Sequence, residues 1–376
     1  VLLAGAVAAF AATPFGGIVT NLVVGFAATA FEGLIQNAFK KPATTTTIGT
    51  RLSVGTSGDG PQTFILGDYV TAGTRCYRGV YGQAGDTPNA YYVDERILSD
   101  LPLGRPTGFW VGDQKCTVLW DEGPAEQGYP VLEFRRNGKD YLWVWAYDGT
   151  QSAAHPYMLA KFGAHPTRPY EADMVGYGQA GVIVTALADR AFFPSGEPQY
   201  KFETDGIALY NPARDSTIGG VGSHRRDDPG TWEPSNLLPV HIYNILMGIR
   251  WGSEWMFGLQ ASTRYQLPVS NWIAAINAAA TPIALAGGGT EPQYAGGLEV
   301  PVSASAAEVI QELLKGCSGR MAEIGGIYKI LCGAPGASVY QFTDANVVIT
   351  REQESDPFPI LEETFNAAQA SYPENW

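Results

Sequence analysis

The stretch Val131-Leu-Glu-Phe-Arg-Arg-Asn-Gly-Lys-Asp-Tyr-Leu-Trp-Val-Trp-Ala-Tyr147 carries the strongest fold signal in the sequence. Two runs of aliphatic and aromatic residues, Val131–Arg135 and Tyr141–Tyr147, flank Asn137-Gly138. Asn-Gly is favoured in two-residue hairpin turns because both positions need a positive φ. Aromatic and β-branched residues favour strands. The stretch therefore predicts a β-hairpin within a chain built largely from antiparallel strands.

Further strands and helices are predicted on both sides of this hairpin. Apolar residues at i, i+4 and i+8 predict a helix over Val182–Phe193. The other predicted strands are Arg51–Val54, Gln62–Leu66, Gly108–Val111, Cys116–Trp120 and Gln199–Glu203, and the other predicted helices are Pro239–Leu246 and Val269–Ala280. The fold class that follows is α+β, mostly β.

The last module begins after Gly287-Gly288-Gly289, which we interpret as a flexible joint. A capping box, Ser305-Ala-Ala-Glu308, predicts the start of a helix. Gly325-Gly326 predicts a tight turn between strands Met321–Ile324 and Ile327–Leu331, and Val339–Phe342 follows as a third strand. This pattern predicts a helix that lies on a small antiparallel sheet.

The amino-acid composition of the chain argues against several classes of protein. The 376 residues include 24 Lys+Arg and 37 Asp+Glu, which gives a formal charge of −13. This acidic balance disfavours a nucleic-acid surface, which needs clustered Lys and Arg. The 45 Gly and 25 Pro argue against a long coiled coil. An apolar content of 45% with 12% aromatics argues against disorder.

The amino-terminal segment is unusual because Val1 to Phe31 contains no charged residue. It is long enough to cross a bilayer, but small residues dominate it and Pro14 divides it into two helical pieces. Small-residue helices pack closely on copies of themselves. We interpret 1–47 as an apolar, self-associating helical segment with a linker; a buried helical hairpin and a plain membrane anchor are the alternatives.

The sequence contains one motif with the spacing of a known cofactor-binding signature. Gly176-Tyr-Gly-Gln-Ala-Gly181 has the GxGxxG spacing, and Glu203 follows it at about the distance of a dinucleotide-binding acid. No buried apolar strand or βαβ repeat accompanies it, so glycines that allow close packing at a helix start are the simpler interpretation. Four widely spaced cysteines match no zinc pattern or disulfide framework.

Other polar and aromatic groups have structural interpretations beside functional ones. The cluster His224–Pro229 is either an anion or metal site or a loop fixed by Arg–Asp pairs. The carboxylates Asp121-Glu122 and Glu362-Glu363 show no pairing across a cleft of the kind glycosidases need. The residues Trp110, Trp120, Trp143 and Trp145 form either a sugar-binding platform or core and interface contacts. The sequence therefore predicts no catalytic residue, no cofactor-binding residue, no metal ligand and no cofactor, and we expect a protein that is not an enzyme.

Several spaced segments together resemble a known family. The segments are Gly67–Arg75 (GDYVTAGTR), Leu98–Gly104 (LSDLPLG), Leu142–Gln151 (LWVWAYDGTQ), Asp205–Thr217 (DGIALYNPARDST), Gly222–Trp232 (GSHRRDDPGTW), Cys317–Lys329 (CSGRMAEIGGIYK), Asp356–Pro359 (DPFP) and Tyr372–Trp376 (YPENW). Over residues 48–376 the chain is similar to the J-type central tail-tip or baseplate hub proteins of long-tailed, non-contractile phages. Such proteins usually extend well beyond the equivalent of Trp376, so we expect an amino-terminal hub portion or a chain without its distal part.

The resemblance implies a fold of tandem tail-tube-like β-barrel domains with an inserted β domain. The implied boundaries are 48–75 plus 175–285 for the first tube-like hub domain, 76–174 for the insertion and 286–376 for the second tube-like module. Three copies would form a ring of pseudo-sixfold symmetry beneath a hexameric tail tube.

The function implied is that of a structural hub in the tail tip of a virion, assembled in the host cytoplasm. A homotrimer would continue the tail tube, hold the distal fibre or receptor-binding parts and gate DNA exit. Its partners would be the distal tail protein, the tube hexamer, other baseplate and fibre proteins, and phage DNA in transit. The apolar amino terminus would plug the lumen or enter the host membrane at infection. The alternative is a carbohydrate-binding or carbohydrate-cleaving β module.

Overall fold

The fold is taken from a computed structural model, which describes residues 61–194, 198–260 and 263–333 and the single residues 341 and 343. The long strands are β1 (Thr63–Thr71), β2 (Thr74–Ala84), β3 (Thr87–Ser99), β9 (Leu142–Asp148), β10 (Ala180–Leu187) and β11 (Tyr200–Gly206). The short strands are β4 (Gly108–Val111), β5 (Gln114–Cys116), β6 (Tyr129–Pro130), β7 (Arg135–Arg136), β8 (Lys139–Asp140), β12 (Ile249–Trp251), β13 (Glu254–Phe257), β14 (Pro282–Ala284), β15 (Thr290–Pro292), β16 (Leu298–Pro301), β17 (Arg320–Ile324) and β18 (Ile327–Leu331). The helices are α1 (Pro156–Phe162), α2 (Leu238–Met247), α3 (Val269–Ala279) and α4 (Ala306–Gly316).

Two five-stranded antiparallel sheets organise the described residues. Sheet I has the order β2-β3-β10-β9-β6, and sheet II has the order β16-β1-β11-β4-β5. Four two-stranded hairpins complete the strand pairing in this part of the chain. The predicted class, α+β and mostly β, is confirmed. Neither five-stranded sheet closes into a barrel within the described ranges, because each ends in two different edge strands whose outer sides have no paired strand.

Strand β10 corrects the helix predicted over Val182–Phe193. All eight residues of β10 are buried, and the strand pairs with β3 on one side and β9 on the other. Ile183 packs in the cluster beneath α1, whereas Val182 lies on the opposite face, level with Arg96 of β3. A strand covered on both faces has a continuous apolar sequence, and a short run of this kind also satisfies helical spacing.

Helix α1 covers the outer face of sheet I. Its residues Tyr157, Met158 and Phe162 pack against Tyr77 of β2 and Val93 of β3. The Tyr77 and Phe162 rings lie 5.2 Å apart in a tilted arrangement. Because α1 covers one face of the sheet, buried groups on the other face lie between sheet I and the rest of the described body.

The Asn137-Gly138 turn is confirmed, and the strand predicted over Tyr141–Tyr147 is confirmed as β9 (Leu142–Asp148). The strands directly beside the turn, β7 and β8, have only two residues each. Asn137 has φ 53° and Gly138 has φ 74°, as a two-residue hairpin turn requires. The strand predicted over Val131–Arg135 is wrong, because Leu132–Phe134 form a single 3-10 turn. The strand predicted over Cys116–Trp120 is largely wrong too, since β5 ends at Cys116.

The carboxyl-terminal part of the described chain largely follows the sequence. Helices α2 and α3 match the predictions within two residues, and the Ser305 hydroxyl caps α4 by accepting a hydrogen bond from the Glu308 N–H. Gly325 and Gly326 connect β17 and β18 with φ values of 59° and 80°. The Gly287–Gly289 run is the turn between β14 and β15, where the Gly288 N–H donates to the Leu285 carbonyl, rather than a joint between modules.

Three predicted segments lie outside the described residues, apart from the single residue 341: the segment 1–47 and the strands Arg51–Val54 and Val339–Phe342. The domain boundaries stay predictions. Across those boundaries, β16 pairs with β1, and β10 lies in sheet I between β3 and β9.

Candidate functional site

The GxGxxG segment leads into strand β10 and not into a helix. Gly178 has φ 85°, and a Cβ on it would lie 3.0 Å from the indole nitrogen of Trp251. A Cβ on Gly181 would lie 2.5 Å from the Tyr147 hydroxyl oxygen. The glycines therefore serve close packing, as the simpler interpretation holds, but they do so beside a strand. The helix N-terminus that holds a pyrophosphate in dinucleotide sites does not occur here.

Glu203, the acid that follows the glycine motif, belongs to a surface cluster on sheet II. Its carboxylate accepts a hydrogen bond of 2.6 Å from the Trp110 indole N–H and a bond of 2.9 Å from the Lys115 ammonium. The ammonium groups of Lys115 and Lys201 lie 5.5 and 5.6 Å from the centre of the Trp110 ring. Trp110 is thus fixed by charged neighbours.

Two of the four highlighted tryptophans lie in one row of rings. The Tyr129 ring lies 5.1 Å from Trp120 and 5.6 Å from Trp145, and Trp145 lies 5.3 Å from His155. The Arg105 guanidinium lies over Trp120, 5.3 Å from the ring centre. Trp120, Tyr129 and Trp145 are half-buried. This aromatic row is therefore only partly covered by the rest of the fold.

The other highlighted residues are engaged in the fold. Trp143 is buried and lies beside Tyr91. The Glu122 carboxylate accepts a hydrogen bond of 2.7 Å from the Arg135 guanidinium, and this pairing lowers the pKa of Glu122. The pair Glu362-Glu363 lies outside the described residues.

A cavity of about 290 Å³ opens beside β4 and β5. The lining residues are Pro106, Thr107, Gly108, Phe109, Lys115, Cys116, Thr117, Val118, Trp120, Val144 and Phe202. Burial raises the pKa of the Cys116 thiol to about 12. A thiol that stays protonated is a weak nucleophile, so Cys116 contributes an apolar wall to the cavity.

The polar cluster around 224–229 is part of an interlocked loop centred on Asp215. This buried carboxylate accepts hydrogen bonds from the Tyr210 hydroxyl at 2.7 Å, from the Thr217 hydroxyl at 2.6 Å and from the Thr217 N–H at 2.9 Å. The Arg225 guanidinium lies 3.3 Å from it. Burial alone raises the pKa of Asp215, but these donors outweigh burial and hold the pKa below its usual value.

His224 completes the loop as a buried, neutral group. Its Nδ1 accepts the Asn211 N–H at 3.1 Å, which places the proton of the neutral ring on Nε2. Burial and the Arg214 guanidinium lower the pKa of His224. Arg214 itself pairs with Glu233. The loop interpretation therefore accounts for the cluster, since its Arg and Asp side chains hold the turn together.

A second buried charge cluster was missed by the sequence reasoning. On β3, the Asp94 carboxylate accepts hydrogen bonds from Arg96 at 2.6 Å and from Arg75 at 2.7 Å, and neither Asp94 nor Arg96 is exposed to solvent. The Arg96 guanidinium also donates to the carbonyls of Ala72 and Tyr200, in sheet II or beside it. The signal in the sequence is Asp94-Glu95-Arg96, three consecutive charges between the aliphatic and aromatic runs Ala90–Val93 and Ile97–Leu98.

Glu95 points to the opposite face of β3. Its carboxylate accepts hydrogen bonds from the Tyr170 hydroxyl at 3.1 Å and the Tyr147 hydroxyl at 3.3 Å. Burial raises the pKa of Glu95, and the two hydroxyl donors counteract part of this rise. Sheet I is therefore fixed by polar contacts on both faces.

In contrast to the buried polar groups of sheet I, the hairpin formed by β14 and β15 exposes apolar side chains. We call residues 281–291 the arm, and every one of them is exposed. Ile283 and Leu285 are each 42% exposed. A Cβ added to any of the three glycines at its tip would meet nothing within 4 Å. The arm therefore projects from the described body with an apolar surface, and Glu291 is its one charged residue.

Neither a protein-family model nor a curated protein matches the chain. Solved structures do give matches. One chain of a structure titled "Virion of native gene transfer agent (GTA) particle" is similar at 16% sequence identity and a TM-score of 0.33. The match covers 76% of this chain and 62% of that chain, so this chain spans less than two thirds of its neighbour's length.

Two further findings apply to the residues described between 61 and 333. No three His, Cys, Asp or Glu side chains among them are grouped as a metal-binding set. None of the helices in these ranges combines the length and the apolar character needed to cross a membrane.

Proposed function

We propose that the protein is a structural hub of a phage tail tip. The arm is the observation that carries the assembly part of this proposal. An isolated two-stranded hairpin is marginally stable in water, and exposed apolar side chains on such a hairpin gain free energy when another surface covers them. The family is suggested by the eight spaced sequence segments that resemble J-type hub proteins.

The described body suits a structural protein that holds other proteins in position and catalyses no reaction. Of its buried carboxylates, Asp94 is held by donors from strands β2 and β3, and Asp215 is held by several donors within its own loop. Fully satisfied buried polar networks favour one arrangement of the surrounding strands over others. These carboxylates are therefore positioning groups in our proposal, and the protein acts by assembly and not as an enzyme.

In the proposed assembly, three copies form a ring that continues the tail tube, with tandem tube-like domains facing the tube hexamer. The ring holds the distal tail protein and the fibre or receptor-binding parts and gates DNA exit. The apolar amino terminus plugs the lumen or enters the host membrane. An acidic ring suits this role because it repels the DNA that must slide through it.

The test is the molar mass of the full chain, measured by light scattering coupled to size-exclusion chromatography, followed by mixing with the tail-tube hexamer. We expect a homotrimer that stacks on the end of the tube in projection images. A monomer at micromolar concentration, or a trimer that does not bind the tail-tube hexamer, would contradict the proposal.

The aromatic row favours a second candidate function, carbohydrate binding by the region 76–174. Rings that stack on sugars are typically half-exposed, as Trp120 and Trp145 are. A glycan array with the full chain tests this candidate. Binding that is lost in Trp145→Ala and kept in Trp110→Ala, a tryptophan outside the row, would support it; an array without signal would remove it.

A further inference from the structure

At the base of the arm, prolines remove the N–H groups that an added strand would need. The Gln293 N–H donates to the Thr281 carbonyl, and the Leu285 N–H donates to the Gly289 carbonyl. In an antiparallel ladder the pairs between these bonded pairs point their polar groups outward. Pro282 and Pro292 form one such outward pair, and neither has an N–H to donate. An added strand therefore finds no N–H donor at the base of the arm, which favours a partner that contacts the side chains of the arm.

The arm presents one mixed face to such a partner. Ile283 lies directly opposite Glu291, so these two side chains share a face, and Leu285 follows on that face two residues further along. No ion-pair partner of Glu291 is found among the described residues. The contact surface is thus two aliphatic side chains beside a single negative charge.

The hairpin β17–β18 carries a surface of complementary character. Its buried face, with Tyr328 and Ile330, packs on the body, where the Trp272 indole donates to the Tyr328 carbonyl at 3.1 Å and Asn271 bonds the backbone of Ile330. The opposite face, which we call the hairpin face, carries Arg320, Ala322, Ile324, Lys329 and Leu331, all of them exposed.

The arm and the hairpin face carry opposite charges, and both expose aliphatic side chains. Ile324 is 40% exposed and Leu331 is 48% exposed. Arg320 and Lys329 have no ion-pair partner within the described ranges, in a chain whose net charge is −13. Two cations beside two aliphatic side chains suit an acidic, aliphatic partner such as the arm.

A second copy of the chain is the occupant of the hairpin face that the positions of the two hairpins favour. A Cβ on Gly333, just after β18, would lie 3.2 Å from the Tyr294 ring, so the bases of the two hairpins are neighbours. The arm nevertheless stays exposed over its whole length and does not fold back on its own hairpin face. Contacts between two different surfaces of identical chains are head-to-tail, and they generate rings when the rotation closes.

We propose that the arm of one copy docks on the hairpin face of the next copy and that this contact closes the ring. The inference rests on the homotrimer of the proposed function and adds the two surfaces that join its subunits.

Two double variants of the full chain test the contact. Ile283→Asp with Leu285→Asp places two charges on the arm, and Ile324→Asp with Leu331→Asp places two charges on the hairpin face. Each variant alone is expected to lose the trimer peak in light scattering. Val221→Asp is the matched control, because Val221 is 87% exposed and lies on neither surface. We expect it to remain trimeric.

Mixing the two double variants distinguishes the contact from general damage. A head-to-tail contact leaves one intact arm and one intact hairpin face in the mixture, so equal amounts are expected to form a dimer that cannot close. Circular dichroism of each variant at the wild-type amplitude shows that it is folded. A mixture that stays monomeric would overturn the head-to-tail geometry.

Charge reversal gives an independent readout. Glu291→Lys is expected to raise the concentration at half-assembly by about fivefold, as loss of an exposed ion pair allows. Combining it with Lys329→Glu is expected to restore assembly. If the wild type is a trimer and both double variants stay trimeric, the arm contact is wrong while the hub proposal stands. A monomeric wild type would overturn both.

Discussion

The ion cluster of β3 and the arm place polar and apolar groups in opposite environments. Asp94 and Arg96 are charged and fully buried, whereas Ile283 and Leu285 are apolar and exposed. A buried charge costs free energy unless it is paired, and an exposed apolar side chain forgoes the gain of burial. The charges of the cluster are paired within the chain, whereas in our proposal another copy of the chain covers the apolar side chains of the arm. Four substitutions test this contrast.

The largest expected effect is at Arg96. Arg96→Met leaves Asp94 buried with the Arg75 guanidinium and without its own-strand partner, and it removes the donor to the Ala72 carbonyl. Breaking a buried pair typically costs about 3–5 kcal/mol, which denaturant unfolding measures. Lys315→Met is the control, since the Lys315–Glu312 pair is exposed and worth less than about 0.5 kcal/mol. Equal losses in both variants would contradict the difference between buried and exposed pairs.

His241 gives the next effect, and it depends on pH. The ring is buried, its Nε2 lies 2.6 Å from the Ser235 carbonyl, and burial lowers its pKa to about 4. The unfolded chain takes up this proton below about pH 6.5, whereas the folded chain does so only near pH 4. Stability is therefore lost as the pH falls through this window.

Lowering the pH from 7 to 5 is expected to remove about 2 kcal/mol of unfolding free energy through His241. His241→Asn does not titrate, so the difference between its unfolding free energies at pH 7 and pH 5 is expected to be smaller by that amount. His155 and His224, whose pKa values are also lowered, stay in both proteins and cancel in the comparison. Parallel pH profiles for the two proteins would contradict the prediction.

A smaller effect is expected in the Asp215 loop. Tyr210→Phe removes the 2.7 Å hydrogen bond to the buried carboxylate, which keeps its Thr217 and Arg225 donors. The expected loss in thermal or denaturant unfolding is about 1–2 kcal/mol. Tyr265→Phe, on a ring that is exposed, is expected to change stability by less than about 0.5 kcal/mol.

The smallest effect is expected on the arm. Leu285→Ser is expected to change the unfolding free energy of the isolated subunit by less than about 0.5 kcal/mol, because the side chain contacts little of the body. The measurement is made on the dissociated subunit. Met158→Ser, on the buried face of α1, is the contrasting variant and is expected to cost at least about 2 kcal/mol. A large loss at Leu285 would show that the arm belongs to the core.

The turns were predictable because their chemistry is local. Asn137-Gly138, Gly325-Gly326 and the Ser305 cap each depend on residues within a few positions, and the structure has all three. Strand β10 was not predictable because its apolar run fits both helical spacing and a strand covered on two faces. Only the neighbours β3 and β9, which are distant in the sequence, decide between these.

The candidate surfaces were predicted less well than the fold. The loop interpretation of His224–Pro229 is supported, since Asp215 and Arg225 hold it together. The arm was missed because the Gly287–Gly289 run is compatible with both a joint and a hairpin tip, and exposure of Ile283 is a tertiary property. The Asp94–Arg96 cluster was missed because alternation in a strand predicts one solvated face, and both faces of β3 are covered.

The position of β1 in sheet II has a consequence for synthesis of the chain. Its first residues, Thr63–Leu66, pair with β16, and the Thr71 hydroxyl donates to the Glu299 carboxylate at a sequence separation of 228 residues. Strand β11, on its other side, is also far along the chain. At about 5–20 residues per second, the ribosome needs on the order of ten to forty seconds to synthesise the chain between β1 and β16. Until β11 is made, the apolar residues Phe64, Ile65 and Leu66 have neither neighbour, and until β16 follows they have only one. The nascent chain is thus most exposed to aggregation before residue 301 emerges, and slower translation of this region prolongs that period.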